Sequence, residues 1–252
     1  MFEMSDFDAA RDRLEEGLSV LARRGHLSRA GDPAYADGLM ELMRLVLERN
    51  EYINLTTILD MEEFVNLQLL DSLACAGQPE LEKADVIIDV GSGAGFPGLP
   101  LAMLYPGKHF LLTDSLRKRT EFTAFAASSL GLDNVEVLHS RAETAGRDPA
   151  LRERFDLALC RAVGKLPVIL EYCLPFVRTG GAGIFYKTIQ ARGEIEESLL
   201  ARELLGGSKS VRVETYAELL PGRRHALYII EKEAATPNTY PRREGVPAKV
   251  PL

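Results

Sequence analysis

The sequence predicts an α/β protein: a doubly wound sheet of seven strands, parallel except for a final antiparallel hairpin, with a small helical domain in front of it. Three observations carry that prediction. Before residue 84, apolar side chains recur at three and four positions, the period of helices with one buried face. From Ala84 onward, short β-branched runs alternate with helical stretches, the order that builds a parallel sheet covered on both faces. The last two strand runs follow each other with no helix between them, which points to an antiparallel pair.

Residues 1–83 form the helical domain. Leu14, Leu18 and Leu21 make one apolar stripe. A second helix starts at the capping residue Asp32, with Pro33 in the first turn where its missing N–H costs nothing, and runs through Leu39, Leu42, Met43, Val46 and Leu47. A third starts at Asp60, which stands at capping-box distance from Glu63 and is followed by Phe64, Leu67, Leu70 and Leu73 on one face.

Residues 84–233 form the sheet domain. Strands are expected at Val86–Val90, Phe110–Asp114, Val135–His139, Asp156–Cys160, Gly183–Lys187, Lys209–Thr215 and Ala226–Glu231. Helices fit at Gly98–Tyr105, Leu116–Leu130, Leu166–Val177 and Glu194–Leu205. Residues 234–252 hold Pro237, Pro241, Pro247 and Pro251 with Arg242, Arg243 and Lys249, a composition in which no helix or central strand is expected. Such a tail is either a frayed end, which composition alone favours, or an extended basic arm that docks on an anionic partner.

Lys and Arg number 30 against 37 Asp and Glu, for a net charge of −7, an ordinary balance for a soluble protein. The acid is unevenly spread: residues 1–83 carry 8 basic and 17 acidic side chains, so the remainder is slightly basic and free to meet an anion. Cys75, Cys160 and Cys173 form no Cys-x-x-Cys pair, which indicates neither a disulfide framework nor a zinc site and fits a reducing cytoplasm. No long apolar run suggests a membrane span, and the acidic N-terminus lacks the pattern of a secretory signal.

The most informative stretch is Val86-Ile87-Ile88-Asp89-Val90-Gly91-Ser92-Gly93-Ala94-Gly95-Phe96-Pro97-Gly98. A buried strand runs through an acidic residue into alternating glycines, which let the backbone turn tightly and let a ligand approach the main chain at the sheet's carboxyl edge. Gly93 to Gly98 literally satisfies the dinucleotide fingerprint G-x-G-x-x-G, so an NAD-dependent oxidoreductase is one alternative. However, Pro97 and Pro100 remove N–H groups that a pyrophosphate would use. Asp89 ahead of Gly91, Gly93 and Gly95 instead resembles the first motif of class I, Rossmann-like methyltransferases that use S-adenosylmethionine (SAM), which has no phosphate. Asp114 ends the second strand, placed to accept hydrogen bonds from ribose hydroxyls or to cap the helix that follows. After the third strand, Ala142 and Glu143 stand where this fold meets the adenine, although an acid there is more commonly a surface side chain.

The methyl acceptor is narrowed by what is missing. No cysteine follows a proline, as a pyrimidine C5 methyltransferase would require, and Cys160-Arg161-Ala162-Val163 replaces the clamp of exocyclic-amine methyltransferases. A ring nitrogen such as guanine N7 carries an in-plane lone pair and needs no general base, only alignment and a base lifted out of its stack.

Asn54-Leu55-Thr56, Leu70-Asp71-Ser72-Leu73, the Asp89 to Gly98 run, Asp114-Ser115-Leu116 with Lys118-Arg119, Arg161-Ala162 and Tyr240-Pro241-Arg242-Arg243 together resemble the ribosomal RNA small subunit methyltransferase G family, also called glucose-inhibited division protein B. The resemblance covers residues 50–252. It implies SAM-dependent methylation of guanine N7 in 16S rRNA near the decoding centre, on naked rRNA or the small ribosomal subunit, with cofactor contacts at Gly91, Phe96, Ala142, Glu143 and Arg161. Arg161 is the catalytic candidate, facing the acceptor or the cofactor carboxylate. Arg117, Lys118, Arg119, Lys187, Arg242 and Arg243 are candidates for rRNA phosphates, or else solvated charges. One departure stands out: Leu67-Gln68 occupies the place of the family's Arg-His pair. A ribosome-associated factor that binds RNA without catalysis is the second alternative.

Overall fold

The computed structural model describes residues 4–23, 28–161 and 163–252. The described residues before the sheet fold into α1 (Met4–Ala22), α2 (Pro33–Asn50), α3 (Met61–Phe64) and α4 (Pro79–Lys83). Asp32 caps α2 by accepting from the Ala34 N–H, and Asp60 caps α3 by accepting from the Glu63 N–H. The stripes of α1 and α2 are buried as their period requires.

Beyond α3 the winding widens. Val65–Leu70 forms a π turn in which the Asp71 N–H donates to Asn66 O, five residues back. The extra residue per turn shifts the buried face, so Leu69 is buried beside Phe64, Leu70 and Leu73, while Leu67 comes out to half-exposure. A single 3.6-residue stripe, as expected from the sequence, could not register that shift.

The sheet follows: β1 (Val86–Val90), α5 (Gly98–Leu104), β2 (His109–Asp114), α6 (Arg117–Ser129), β3 (Val135–His139), α7 (Ala142–Ala145), β4 (Phe155–Arg161), α8 (Leu166–Cys173), β5 (Val177–Thr188), α9 (Gly193–Glu197), α10 (Leu199–Leu205), β6 (Arg212–Thr215) and β7 (His225–Glu231). Its order is β3-β2-β1-β4-β5-β7-β6. Strands β1 to β5 are mutually parallel, and β7 runs antiparallel to both neighbours. Alternation sends Ile87 and Leu112 to a face covered by α1, α2, α5 and α6, while Ile88 and Phe185 face α8 and α10. The N-terminal helices therefore share one continuous core with the sheet.

Several boundaries differ from expectation. Strand β5 begins at Val177 rather than Gly183, because Gly180 and Gly181 interrupt the apolar pattern yet still pair their backbone with Lys232. Strand β6 begins only at Arg212, since the Ser210 N–H is taken by Ser208 Oγ. Pro175 ends α8 early, and Ser198 divides α9 from α10.

The tail is neither frayed nor free. Arg152 donates to the carbonyls of Thr236, Pro237 and Tyr240, and Arg242 grips the fully buried Glu171 with its guanidinium and its backbone N–H. Contrary to expectation a short helix, α11 (Val246–Lys249), forms there, because Pro247 falls in its first turn where no N–H is needed.

Candidate active site

The site lies at the carboxyl edge of the sheet, where strand order reverses between β1 and β4. Gly91, Gly93 and Gly95 all have positive φ, at 77°, 59° and 95°. They serve different ends. A Cβ on Gly91 would come within 2.7 Å of Val163 Cγ2, and one on Gly95 within 2.4 Å of Leu99 Cδ1, whereas one on Gly93 would meet nothing within 4 Å. Packing explains the first and third glycines; the second leaves space open above the turn.

This loop is not an anion cradle. The N–H groups of Gly91 and Ser92 donate to Thr113 O, that of Gly93 to Asp114 Oδ2, those of Gly95 and Phe96 to Ser92 O, and that of Gly98 to Asp89 Oδ2. A pyrophosphate needs such donors free. The literal fingerprint at Gly93 to Gly98 is therefore no dinucleotide site, and the nicotinamide alternative lapses.

Asp89 is fully buried, and its Oδ1 has no hydrogen-bond partner among the described residues. Burial pushes this carboxyl up from its ordinary 3.8 to about 7, with the nearby Asp114 charge adding and the Gly98 N–H and Arg161 opposing. Asp114 is 6% exposed. Its Oδ1 accepts from the Leu116 N–H at 2.8 Å, so it bridges the turn into α6, and Leu116 itself takes the cap position.

Beside the turn opens a cleft of about 360 Å³ lined by Gly91, Asp114, Leu116, Ala142, Glu143 and Tyr172. Glu143 is buried rather than a surface acid, and it accepts from the Gly245 N–H at 2.9 Å, so the tail closes against the cleft rim. Asp89 and Phe96, both expected cofactor contacts, are buried and do not line this cleft; the Phe96 ring packs edge-on against Phe64 and carries Arg161 over its face at 5.7 Å.

A second cavity of about 410 Å³ adjoins the first across Val163 and is lined by Gln68, Asp71, Arg161, Lys187, Tyr216 and His225. Arg161 donates to Asp71 Oδ2 at 3.0 Å, to Leu67 O at 2.7 Å and to Gln68 Oε1. Asp71 Oδ1 accepts from the Tyr216 hydroxyl at 2.7 Å and lies 2.8 Å from His225 Nδ1, which must carry its proton there because a carboxylate only accepts. Burial pushes the Asp71 carboxyl up, but the His225 hydrogen bond, the Arg161 charge and the Tyr216 hydroxyl together carry it below its ordinary value. Both residues of the departing pair, Leu67 and Gln68, thus meet Arg161.

Among the phosphate candidates, Arg117 and Lys118 are exposed at the start of α6, and Arg119 Nη1 lies 3.8 Å from Asp114. Lys187 is held by Glu194 at 2.7 Å and by Gly164 O. Arg242 is committed to Glu171, while Arg243 is exposed. Ala162 lies outside the described residues. Sequence reasoning missed Asp71, Tyr216, His225, Val163 and Tyr172 as parts of the site. The run containing Asp71 was visible, but its hydroxyl and imidazole partners stand 145 and 154 positions away.

The described helices include none long and apolar enough to cross a membrane. In overall fold the chain resembles a crystal structure of M. jannaschii TYW2 in complex with AdoMet, at 18% identity and a TM-score of 0.50, over 66% of this chain and 76% of that one. Ribosomal RNA small subunit methyltransferase G of Alkaliphilus metalliredigens (strain QYMF) is 42% identical over 214 residues, covering 85% of this chain and 89% of the relative. The protein of the same name from Symbiobacterium thermophilum is 41% identical over 255 residues, covering 98% of this chain and 100% of its own. The family model described as rRNA small subunit methyltransferase G matches residues 36–224. With three quarters of its length matched, this chain belongs to the rRNA small subunit methyltransferase G family.

Proposed function

We propose that this protein transfers the methyl group of SAM to N7 of a guanine in 16S rRNA. The observation that carries the proposal is the pair of adjoining cavities at the switch point, one beside the glycine turn and the other walled by charged side chains that bond to one another. In the second cavity Asp71 is bonded to Arg161, Tyr216 and His225, and Lys187 to Glu194, so the charged groups hold one another in place. That arrangement suits an acceptor whose lone pair attacks without losing a proton, where alignment alone supplies roughly 7–11 kcal/mol in favourable cases.

The residues present fit the cofactor. The space above Gly93 admits a ligand against the main chain, and each Asp114 oxygen keeps a lone pair for a ribose hydroxyl. Leu116 and Ala142 offer apolar walls to a purine, with Glu143 and the Ala142 N–H at its edge. SAM supplies a sulfonium whose methyl group is electrophilic. Arg161, fixed by Asp71, Leu67 and Phe96, lines the second cavity, where its guanidinium would meet an anionic or electron-rich group of the occupant.

Incubating small ribosomal subunits that lack the modification with tritiated SAM and the protein tests this. Label is expected in 16S rRNA at one guanine, with chain cleavage by aniline at that position. Labelled protein with unlabelled rRNA, or label on an exocyclic amine, would overturn it.

A further inference from the structure

A third cavity of about 360 Å³ lies against the outer wall of the cofactor cleft, between residues 52–55 and the start of α6. It shares Ser115, Leu116 and Arg119 with that cleft, so the two openings stand on either side of one wall at the carboxyl edge of the sheet. Its surface combines two things rarely left in water together. Tyr52 is 76% exposed and Leu116 51% exposed, and beside them Arg117 and Lys118 point into solvent with no ion pair among the described residues. On a chain of net charge −7, three consecutive basic side chains next to an open aromatic ring are a local reversal of sign.

The ring is held outward by its loop. Asn50 Oδ1 accepts from the N–H groups of Leu55 at 2.6 Å and Thr56 at 2.9 Å, and Thr56 Oγ1 accepts from the Ile58 N–H. Leu55 is buried, and Ile53 packs on the core, anchoring both sides of Asn54. Tyr52 therefore projects from a pinned turn, and a planar partner stacking on it would lose little loop freedom on binding.

We infer that this groove holds an unpaired nucleotide of the RNA strand that carries the target base, its base stacked on Tyr52 against Leu116 and its phosphates met by Arg117 and Lys118. The inference rests on the methyl transfer to RNA proposed above and adds where the flanking strand runs. Stacking on a ring beside cations accepts any base and follows the sugar–phosphate chain, which is how proteins grip single strands. A peptide partner would need backbone donors or acceptors or a deeper apolar pocket, whereas the charged side chains of this groove, Arg117, Lys118 and Arg119, are all cationic.

Anisotropy titrations of a fluorescein-labelled, unstructured RNA heptanucleotide at several salt concentrations test it, with SAM affinity and melting temperature measured on every variant. Tyr52→Ala is expected to weaken RNA binding by roughly tenfold with the salt slope unchanged, and Tyr52→Phe to bind like the parent. Arg117→Ala with Lys118→Ala is expected to flatten the salt slope by about 1.4, the value for two phosphates on a single strand. With small ribosomal subunits, the same changes should raise KM and leave kcat and SAM affinity in place. RNA affinity unchanged in Tyr52→Ala, or lost equally in Tyr52→Phe, would overturn the stacking site. Failure of the parent protein to label rRNA would overturn the methyl-transfer proposal instead, and the RNA titrations still decide the groove.

Discussion

At Asp89 a carboxyl group sits under the glycine turn with one oxygen bonded to Gly98 and the other without a hydrogen-bond partner among the described residues. Its proton is held to about pH 7 in the fold and to about 3.8 in the open chain, because burial disfavours the charge. Between those values the native state binds more protons than the unfolded one, so stability contributed here falls as pH rises from 4 to 7. Asn has no such proton. Asp89→Asn is expected to gain stability relative to the parent by roughly 2–4 kcal/mol from pH 4 to 7 and to hold a constant difference above that, as read by urea unfolding at a series of pH values. Parallel pH profiles would show that the carboxyl stays ionised in the fold. Asp89 itself was legible in the sequence because it belongs to a local run. Asp71 was not, since its role exists only once β7 and the segment before it bring His225 and Tyr216 across the sheet.

Among the elements, the strand–turn–helix unit from Val86 to Leu104 separates two jobs that its sequence shows as one repeat of glycines. Gly95→Ala must displace Leu99, which is fully buried, from a strained backbone, so a loss of about 3 kcal/mol is expected in urea unfolding. Gly93→Ala adds a methyl group to open space and should cost about 1 kcal/mol for the left-handed backbone alone. Its effect should appear in calorimetric titration with SAM, as an affinity drop of tenfold or more. Equal stability losses with unchanged SAM affinity would remove Gly93 from the ligand's path. Strand and helix order came through in the sequence because periodicity is local. The ends shifted where something local competed with the ladder: Ser208 at β6, Pro175 after α8.

For the whole molecule, the tail binds the body together. Removing residues 236–252 would leave Glu171 buried without Arg242, and would take from the buried Lys232 its Thr236 partner. Stranding a buried charge costs about 3–5 kcal/mol, so the truncated protein should melt many degrees lower, and Glu171→Gln in the truncated chain should recover part of the loss. Melting temperatures within a degree of the parent would mean the contacts contribute nothing. Composition could not foresee this docking, because prolines and arginines describe a free arm as well as a bound one. Only the positions of Arg152 and Glu171 on the body distinguish the two.

The wide turn at Val65–Leu70 also governs which length changes this gene can tolerate. It is an ordinary helix carrying one surplus residue. Excising a single residue there would leave a helix fully bonded along its backbone, yet turned by about 100° relative to Asp71. The damage would be an error of rotational phase rather than of folding, sparing the nucleoside cleft while turning Asp71 away from the three groups bonded to it. One insertion just upstream would set the phase right again.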